Sequence, residues 1–165
     1  MDRTAGERMD ARGFTLIELM VVLLIVSLLL AAGVPALQQA AAEQRLVAAA
    51  NQFFHGVSLA RAQALRHARR AEMRPSDGLH WERGWQIEVG QRVLRREPAL
   101  PAGISVAHTA GGEVLGYQPN GQPLTRGSWH FSSDGRSRVV VINFLGRARV
   151  CNPARETQCS KAELD

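Results

Sequence analysis

The most strongly patterned part of the chain is an apolar run near its N-terminus. Over residues 14–37, Glu18 is the only charged residue. A helix of about 20 apolar residues is long enough to span a bilayer, and a carboxylate inside such a run is costly and usually marks function. The pattern predicts a transmembrane helix over 14–37. On that helix Glu18 shares a face with Phe14, which suggests a positive partner close to Phe14.

Apolar positions then recur at steps of three and four residues, which indicates an amphipathic helix. The predicted stripe consists of Leu46, Ala49, Phe53, Val57, Ala60, Ala64 and Ala68. We predict that this second helical segment covers 38–73 and continues the first. Pro35 lies inside the combined helix and predicts a kink or a local melting there.

From Trp81 onward, short alternating segments are separated by turn residues. Gly90-Gln91 and Asp134-Gly135 predict tight hairpin turns. The nearly continuous apolar run Val139–Leu145 predicts the most buried strand. We therefore expect six or seven short antiparallel strands within 74–165. The predicted fold class is α+β, with a long N-terminal helix packed against a small antiparallel β globule.

The charge balance is basic, with a formal net charge of +5 and a sequence pI of about 10.5. Such a balance permits binding to nucleic acid or anionic lipid. One basic cluster lies at the predicted end of the helix and comprises Arg61, Arg66, His67, Arg69, Arg70 and Arg74. Some of these side chains complement the helix dipole. The others are interpreted as a solvated face, with a phosphate-binding surface as the alternative.

The two cysteines, Cys151 and Cys159, both lie beyond the predicted membrane segment. An even number in that position favours a disulfide. Two free thiols, or half of a zinc site, are the alternatives.

The sequence offers no arrangement of side chains that indicates catalysis. Its five histidines are scattered, without HxxxH or HExxH spacing, and no glycine-rich loop leads from a strand into a helix. We therefore predict no catalytic residues, no metal and no cofactor.

The segment Gly13-Phe-Thr-Leu-Ile-Glu-Leu19 resembles the class III signal of type IV pilins and pseudopilins. The resemblance implies that a prepilin peptidase removes residues 1–13 by cutting after Gly13 and methylates the new amine of Phe14. The resulting ammonium would pair with Glu18 during filament assembly. An ordinary uncleaved signal anchor is the alternative, and it leaves Glu18 unexplained. The implied location is the bacterial inner membrane, with a single span and a periplasmic C-terminal domain. The implied partners are other major and minor pilins or pseudopilins.

The order of later motifs resembles the GspH/FimT subfamily of minor pilins. A helical Phe-x-x-x-Val-x-x-Ala-Arg segment at 53–61 precedes Gly84-Trp85, Leu94-Arg95 and a late Gly-Arg-x-Arg element. The chain departs from many members in having no cysteine in the turn region before Gly84.

Several arginines lie near the C-terminus, where Arg136 and Arg138, and likewise Arg147 and Arg149, are two positions apart. Side chains two apart on a strand point the same way. Gly146-Arg147-Ala148-Arg149 resembles an element of the DNA-binding minor pilin in this subfamily. The resemblance implies that Arg147 and Arg149 contact double-stranded DNA through its backbone. If the strands pair, we expect Arg136 and Arg138 on the same exposed face, in contact with further phosphates. In the alternative interpretation they are edge-strand charges that prevent aggregation.

Three functions follow as hypotheses. The first is a minor pilin of a type IV pilus that also binds DNA for uptake. The second is an H-type minor pseudopilin of a type II secretion system without a DNA role. The third is a membrane-anchored periplasmic enzyme, which the lack of a catalytic arrangement disfavours.

Overall fold

A computed structural model describes residues 15–109, 114–156 and 159. One long helix is followed by eight strands and a short 3-10 turn. Helix α1 covers Leu16–His67, and the 3-10 turn covers Trp81–Arg83. The strands are β1 Ala71–Pro75, β2 Trp85–Val89, β3 Arg92–Glu97, β4 Ser105–His108, β5 Leu115–Tyr117, β6 Gly127–Ser133, β7 Arg136–Ile142 and β8 Ala148–Cys151.

The chain divides into two compact units, with the boundary between Ala40 and Ala41. In the described part of the first unit, α1 is unbroken across Gly33 and Pro35. The local melting considered for Pro35 is therefore not seen. Proline in a helix interior still removes one backbone hydrogen bond, and a kink at Pro35 stays a prediction.

In the second unit, α1 buries the predicted amphipathic stripe. Its buried positions are Leu46, Ala49, Ala50, Phe53, Gly56, Val57, Ala60 and Ala64. Ala68 is exposed and lies outside the helix, with a φ of 49° that closes the last turn. The helix thus ends at His67 and not at 73, because Ala71, Met73 and Pro75 are buried alternately as the inward face of β1.

The strands form two antiparallel sheets. The first has the order β3-β2-β1-β5, and the second has the order β4-β6-β7-β8. Gly90-Gln91 joins β2 to β3, and Asp134-Gly135 joins β6 to β7, as predicted. Asp134 and Gly135 have φ values of 49° and 73°, the left-handed conformation that a two-residue hairpin turn requires.

Aromatic rings converge at the centre of the second unit. Phe53 of α1 lies with its ring centroid 5.2–5.7 Å from those of Trp81, Trp85, Trp129 and Phe131. All five side chains are at most 1% exposed. The core therefore joins α1 to both sheets through one aromatic side chain, and such ring pairs add to the free energy of apolar burial.

Two details differ from the sequence expectations. The described residues form eight strands and not six or seven, and β1 and β5 are the strands without a predicted counterpart. The strand within Val139–Leu145 ends at Ile142, and Phe144 and Leu145 are exposed. The early end is caused by Asn143, whose side-chain Oδ1 accepts the backbone N–H groups of Leu145 and Arg147 and turns the chain.

Candidate functional site

The N-terminal part of α1 combines exposed apolar side chains with one carboxylate. Thr15 precedes the helix, and its hydroxyl accepts the backbone N–H of Glu18 at 3.3 Å. Thr15 and Glu18 have the spacing of a capping box. The carboxylate thus lies in the first turn, where the helix dipole favours negative charge. Gly13 and Phe14, the predicted processing residues, lie outside the described residues.

The surface of this helical segment is apolar on every side. Leucine, isoleucine, valine and methionine side chains from Leu16 to Leu37 are all exposed. The helix is long and apolar enough to cross a membrane. A helix that is apolar all round requires an apolar environment outside its own chain, either lipid or other helices.

The first pair of predicted DNA-binding arginines faces α1. On β7, Arg136 and Arg138 alternate with the outward residues and so lie on the same face as the core residues Val140 and Ile142. Arg138 donates to the carboxylate of Glu43 on α1, and Arg136 Nε lies 3.6 Å from the same carboxylate. Arg138 is only 15% exposed. This pair ties the β6–β7 hairpin to the helix.

The second pair lies at the start of β8. Ala148 and Val150 of β8 pack against the core, whereas Arg149 is exposed on the other face of the sheet and pairs in register with Val141. Arg147 is also exposed, precedes β8 by one residue and lines a groove with Arg61 and Leu65 of α1. The structure therefore brings Arg136 and Arg138 together at Glu43 but does not bring all four arginines onto one surface.

Gly146 is closely packed and holds the backbone just before Arg147 in place. Its φ is 74°, and a Cβ there would lie 3.0 Å from the carbonyl oxygen of Gly121 and from the Tyr117 ring. The Tyr117 hydroxyl donates to the carbonyl oxygen of Gly146 at 3.1 Å. Only glycine fits this combination of backbone angle and close packing. The packing therefore explains why the Gly-Arg-x-Arg element begins with glycine.

Two side chains have shifted pKa values with clear causes. Burial raises the pKa of Tyr117 to about 12, against the opposing charge of Arg61. At the turn that follows β1, the backbone N–H groups of His80 and Leu79, together with the His80 ring, hold the pKa of Asp77 well below its usual range. The Asp77 interactions form a local turn, since its Oδ1 accepts both backbone N–H groups.

Cys151 and Cys159 form a disulfide, with their Cα atoms 5.7 Å apart. The two cysteines make a second apolar cluster with Val139 and Val141. This cluster lies on the face of the second sheet that carries Arg149. The disulfide therefore covers the outer side of β7, which explains why Val139–Ile142 are buried on both faces.

Two site residues were missed by reasoning from the sequence. Glu43 gave no signal, because its partner Arg138 is 95 positions away. Arg61 was assigned to the basic helix end, yet its Nη2 donates to the carbonyl oxygen of Leu145 at 2.9 Å. Both are tertiary contacts that helical periodicity does not encode. Within the described ranges, no group of three or more histidine, cysteine, aspartate or glutamate side chains could hold a metal ion.

The fold and the N-terminal segment define a type IV pilin-like protein, of the class that includes minor pilins and pseudopilins. Residues 49–146 match the model of the family described as type II transport protein GspH. Residues 8–34 match the prokaryotic N-terminal methylation motif. The family match covers more than half of the chain, and the chain belongs to the GspH family.

Solved structures share the fold. The type IV minor pilin FimU of Pseudomonas aeruginosa superposes with a TM-score of 0.61 at 19% identity, covering 68% of this chain and 92% of FimU. The minor pseudopilin EpsH from the type 2 secretion system of Vibrio cholerae superposes with a TM-score of 0.50 at 15% identity, covering 63% of this chain and 94% of EpsH. No curated protein sequence matches this chain.

Proposed function

We propose that the chain is a structural subunit, a minor pilin or pseudopilin, which is assembled into a filament from the bacterial inner membrane. A prepilin peptidase cuts after Gly13, and the new amine of Phe14 is methylated. Before assembly the apolar part of α1 anchors the chain in the membrane, with the second unit in the periplasm. One observation carries the proposal: the exposed apolar segment Leu16–Leu37 holds a single carboxylate, Glu18.

Cleavage supplies the positive charge that Glu18 lacks. The α-ammonium of Phe14 is then four positions before the carboxylate in the sequence. In an apolar environment, an ammonium from one subunit offsets the cost of desolvating Glu18 on its neighbour. An unpaired carboxylate there would oppose packing, so the pair fixes how far one helix is shifted along the next.

The test compares Glu18→Gln with a polar control in the same run, Ser27→Ala. The Ser27 hydroxyl donates to the carbonyl oxygen of Leu24 in its own helix. We expect both variants to be cleaved at Gly13 and methylated at Phe14, as read by mass spectrometry of the N-terminal peptide. Glu18→Gln should remain in the membrane fraction, whereas Ser27→Ala should enter sheared filaments. Equal filament yields for the two variants, or filaments with an uncleaved N-terminus, would exclude the proposal.

For the type IV pilus alternative, we propose that Arg147 and Arg149 contact the DNA backbone. Both are exposed: Arg149 lies on the face of the second sheet opposite to the core, and Arg147 precedes β8 and lies beside Arg61 and Leu65 of α1. The planar guanidinium donates two hydrogen bonds at once to a phosphate. Because Arg136 and Arg138 are held by Glu43, we assign them to hairpin positioning and not to direct contact.

Full-length processed protein in detergent, titrated with a fluorescent duplex, tests this contact. Arg147→Gln/Arg149→Gln should weaken binding and lower the salt slope by about 2, since each phosphate contact contributes about 0.9. Arg45→Gln/Arg96→Gln is the control, because it removes the same charge from two exposed arginines elsewhere. An equal loss of DNA affinity in the two double variants would show that only net charge matters and would exclude a binding site at Arg147 and Arg149.

The secretion alternative is favoured by the GspH family match itself. A deletion strain separates the two systems. Loss of exoprotein release with normal DNA uptake assigns the subunit to type II secretion. Loss of DNA uptake with normal release assigns it to a type IV pilus.

A further inference from the structure

A basic groove lies where the end of α1 meets the β2–β3 hairpin. It has a volume of about 530 Å³, and its lining consists of His67, Arg69, Val89, Arg92 and Leu94. Two of these five residues are arginines, one is a histidine, and none is acidic. The groove is remote from Arg147 and Arg149 in sequence, and it is built by the first sheet and not by the second.

Backbone hydrogen bonds hold the two sides of the groove together. Ala68 adopts the left-handed conformation, and the N–H of Arg69 donates to the carbonyl oxygen of Ala64 at 3.3 Å. The N–H of Gly90, in the hairpin turn, donates to the carbonyl oxygen of Arg70 at 2.9 Å. Arg69 Nη1 lies over this turn, 3.9 Å from the position that a Cβ on Gly90 would occupy. The arginines from the helix end and from β3 are thereby held on one surface.

The basic side chains of the groove have no acidic partner among the described residues. Nearby, Arg70 and Arg74 both pair with Glu72, and Arg95 pairs with Glu97. Across the described part of the chain, the side chains of His67, Arg69 and Arg92 make no hydrogen bond or ion pair. Arg69 and Arg92 are therefore available to an external anion, and so is Arg96, which lies on β3 outside the groove lining.

We propose that this groove binds backbone phosphates of duplex DNA, independently of Arg147 and Arg149. Two guanidinium groups suit successive phosphates because each forms a planar double donor. Leu94 is 47% exposed, and with Val89 it offers apolar contact to the sugars between phosphates. The proposal does not rest on the DNA contact proposed above for β8.

The lining of the groove suits a polyanion with several phosphates. Its two arginines come from different elements of the second unit, namely the end of α1 and β3. A duplex presents its phosphates in a row, so that one molecule can contact both guanidinium groups at once.

The experiment uses full-length processed protein in phosphatidylcholine nanodiscs, with a fluorescent 30-base-pair duplex as the probe. Arg69→Gln/Arg92→Gln should weaken binding at least about tenfold at 0.1 M salt and lower the salt slope by about 2. Arg45→Gln/Arg96→Gln, which removes the same charge outside the groove, should change the affinity by less than about twofold. Circular dichroism of all variants checks that the fold is retained.

Arg147→Gln/Arg149→Gln is measured in parallel, so that the groove and the β8 contact are tested separately. A loss with Arg69→Gln/Arg92→Gln alone supports the groove and removes the β8 site. An unchanged affinity and salt slope for Arg69→Gln/Arg92→Gln would overturn the groove. So would an equal loss in the control double variant, or Arg69- and Arg92-dependent binding of phosphatidylglycerol vesicles in place of DNA.

Discussion

The two halves of α1 share one secondary structure but have opposite surfaces. From Leu16 to Leu37 the helix is apolar all round, and its large apolar side chains are exposed. From Leu46 to Ala64 one apolar stripe is buried under two sheets, and polar residues such as Asn51 lie outside it. One continuous helix thus has two parts that suit different environments.

The two halves of α1 are stabilised by different contacts. Most helical stability in proteins comes from packing of an amphipathic face, which the second half provides within its own chain. The first half has no such face and depends on lipid or neighbouring subunits. Substitutions in the two halves should therefore affect different measurements, namely unfolding for one and assembly for the other.

The largest expected contrast is between Phe53→Ala and Leu24→Ala. Phe53 is fully buried among four aromatic rings, and truncation of a buried phenylalanine costs about 3–5 kcal/mol of unfolding free energy. Leu24 is 60% exposed, and its truncation should change that free energy by less than about 0.5 kcal/mol. Urea unfolding of the full-length protein in detergent, followed by tryptophan fluorescence, measures both. Equal shifts would show that the two halves do not differ as described.

Tyr117 provides a contrast in pH dependence, because it is buried in the second unit and is the only tyrosine of the chain. In the folded protein the pKa of Tyr117 is about 12, above the ordinary value of 10.0. Folding therefore favours the neutral phenol over the phenolate. The associated stability is present below pH 10 and is lost as the pH rises from about 10 to about 12, by up to about 2–3 kcal/mol.

Absorbance at the phenolate band, followed in the folded protein against pH, should show one late transition. Tyr117→Phe should remove that transition and flatten the stability curve between pH 10 and 12. It also removes the hydrogen bond to the carbonyl oxygen of Gly146, so its stability at neutral pH serves as the reference. A phenolate transition near pH 10 in the folded protein would contradict the burial argument.

Local patterns explain which elements were predictable from the sequence. The stripe in α1 and the turns at Gly90-Gln91 and Asp134-Gly135 follow from spacing and from residues that tolerate positive φ. Residues 71–73 of β1 were assigned to the end of the amphipathic helix. Only the pairing of β1 with β2 and β5 fixes it as a strand.

The candidate sites were less predictable for a related reason. Alternation shows that Arg136 and Arg138 share a face, but it does not show which face. The register of β7 with its neighbours and the distant Glu43 decide that. The same holds for Arg69 and Arg92, which become neighbours through the pairing of β2 with β1 and β3 and through the hydrogen bond between Gly90 and Arg70. Long-range pairing of charges carries no periodic signal in the sequence.

The smallest expected contrast uses the two glycines of α1. A Cβ on Gly56 would lie 2.9 Å from Met73 Sδ and 3.1 Å from Trp85 Nε1, whereas a Cβ on Gly33 would meet nothing within 4 Å. Gly56→Ala should therefore lower the unfolding free energy of the second unit by about 1–2 kcal/mol, since overpacking outweighs the better helix propensity of alanine.

Gly33→Ala should leave that free energy unchanged and strengthen its own helical segment by up to about 1 kcal/mol. Urea unfolding and helical circular dichroism distinguish the two variants. If Gly56→Ala were neutral, the flexible Met73 would have moved aside, and the packing against α1 would be looser than the distances indicate. If Gly33→Ala retained its stability but lost filament assembly, a neighbouring helix would have to approach closely at Gly33. The first half of α1 would then be packed as tightly as the second, but by another subunit.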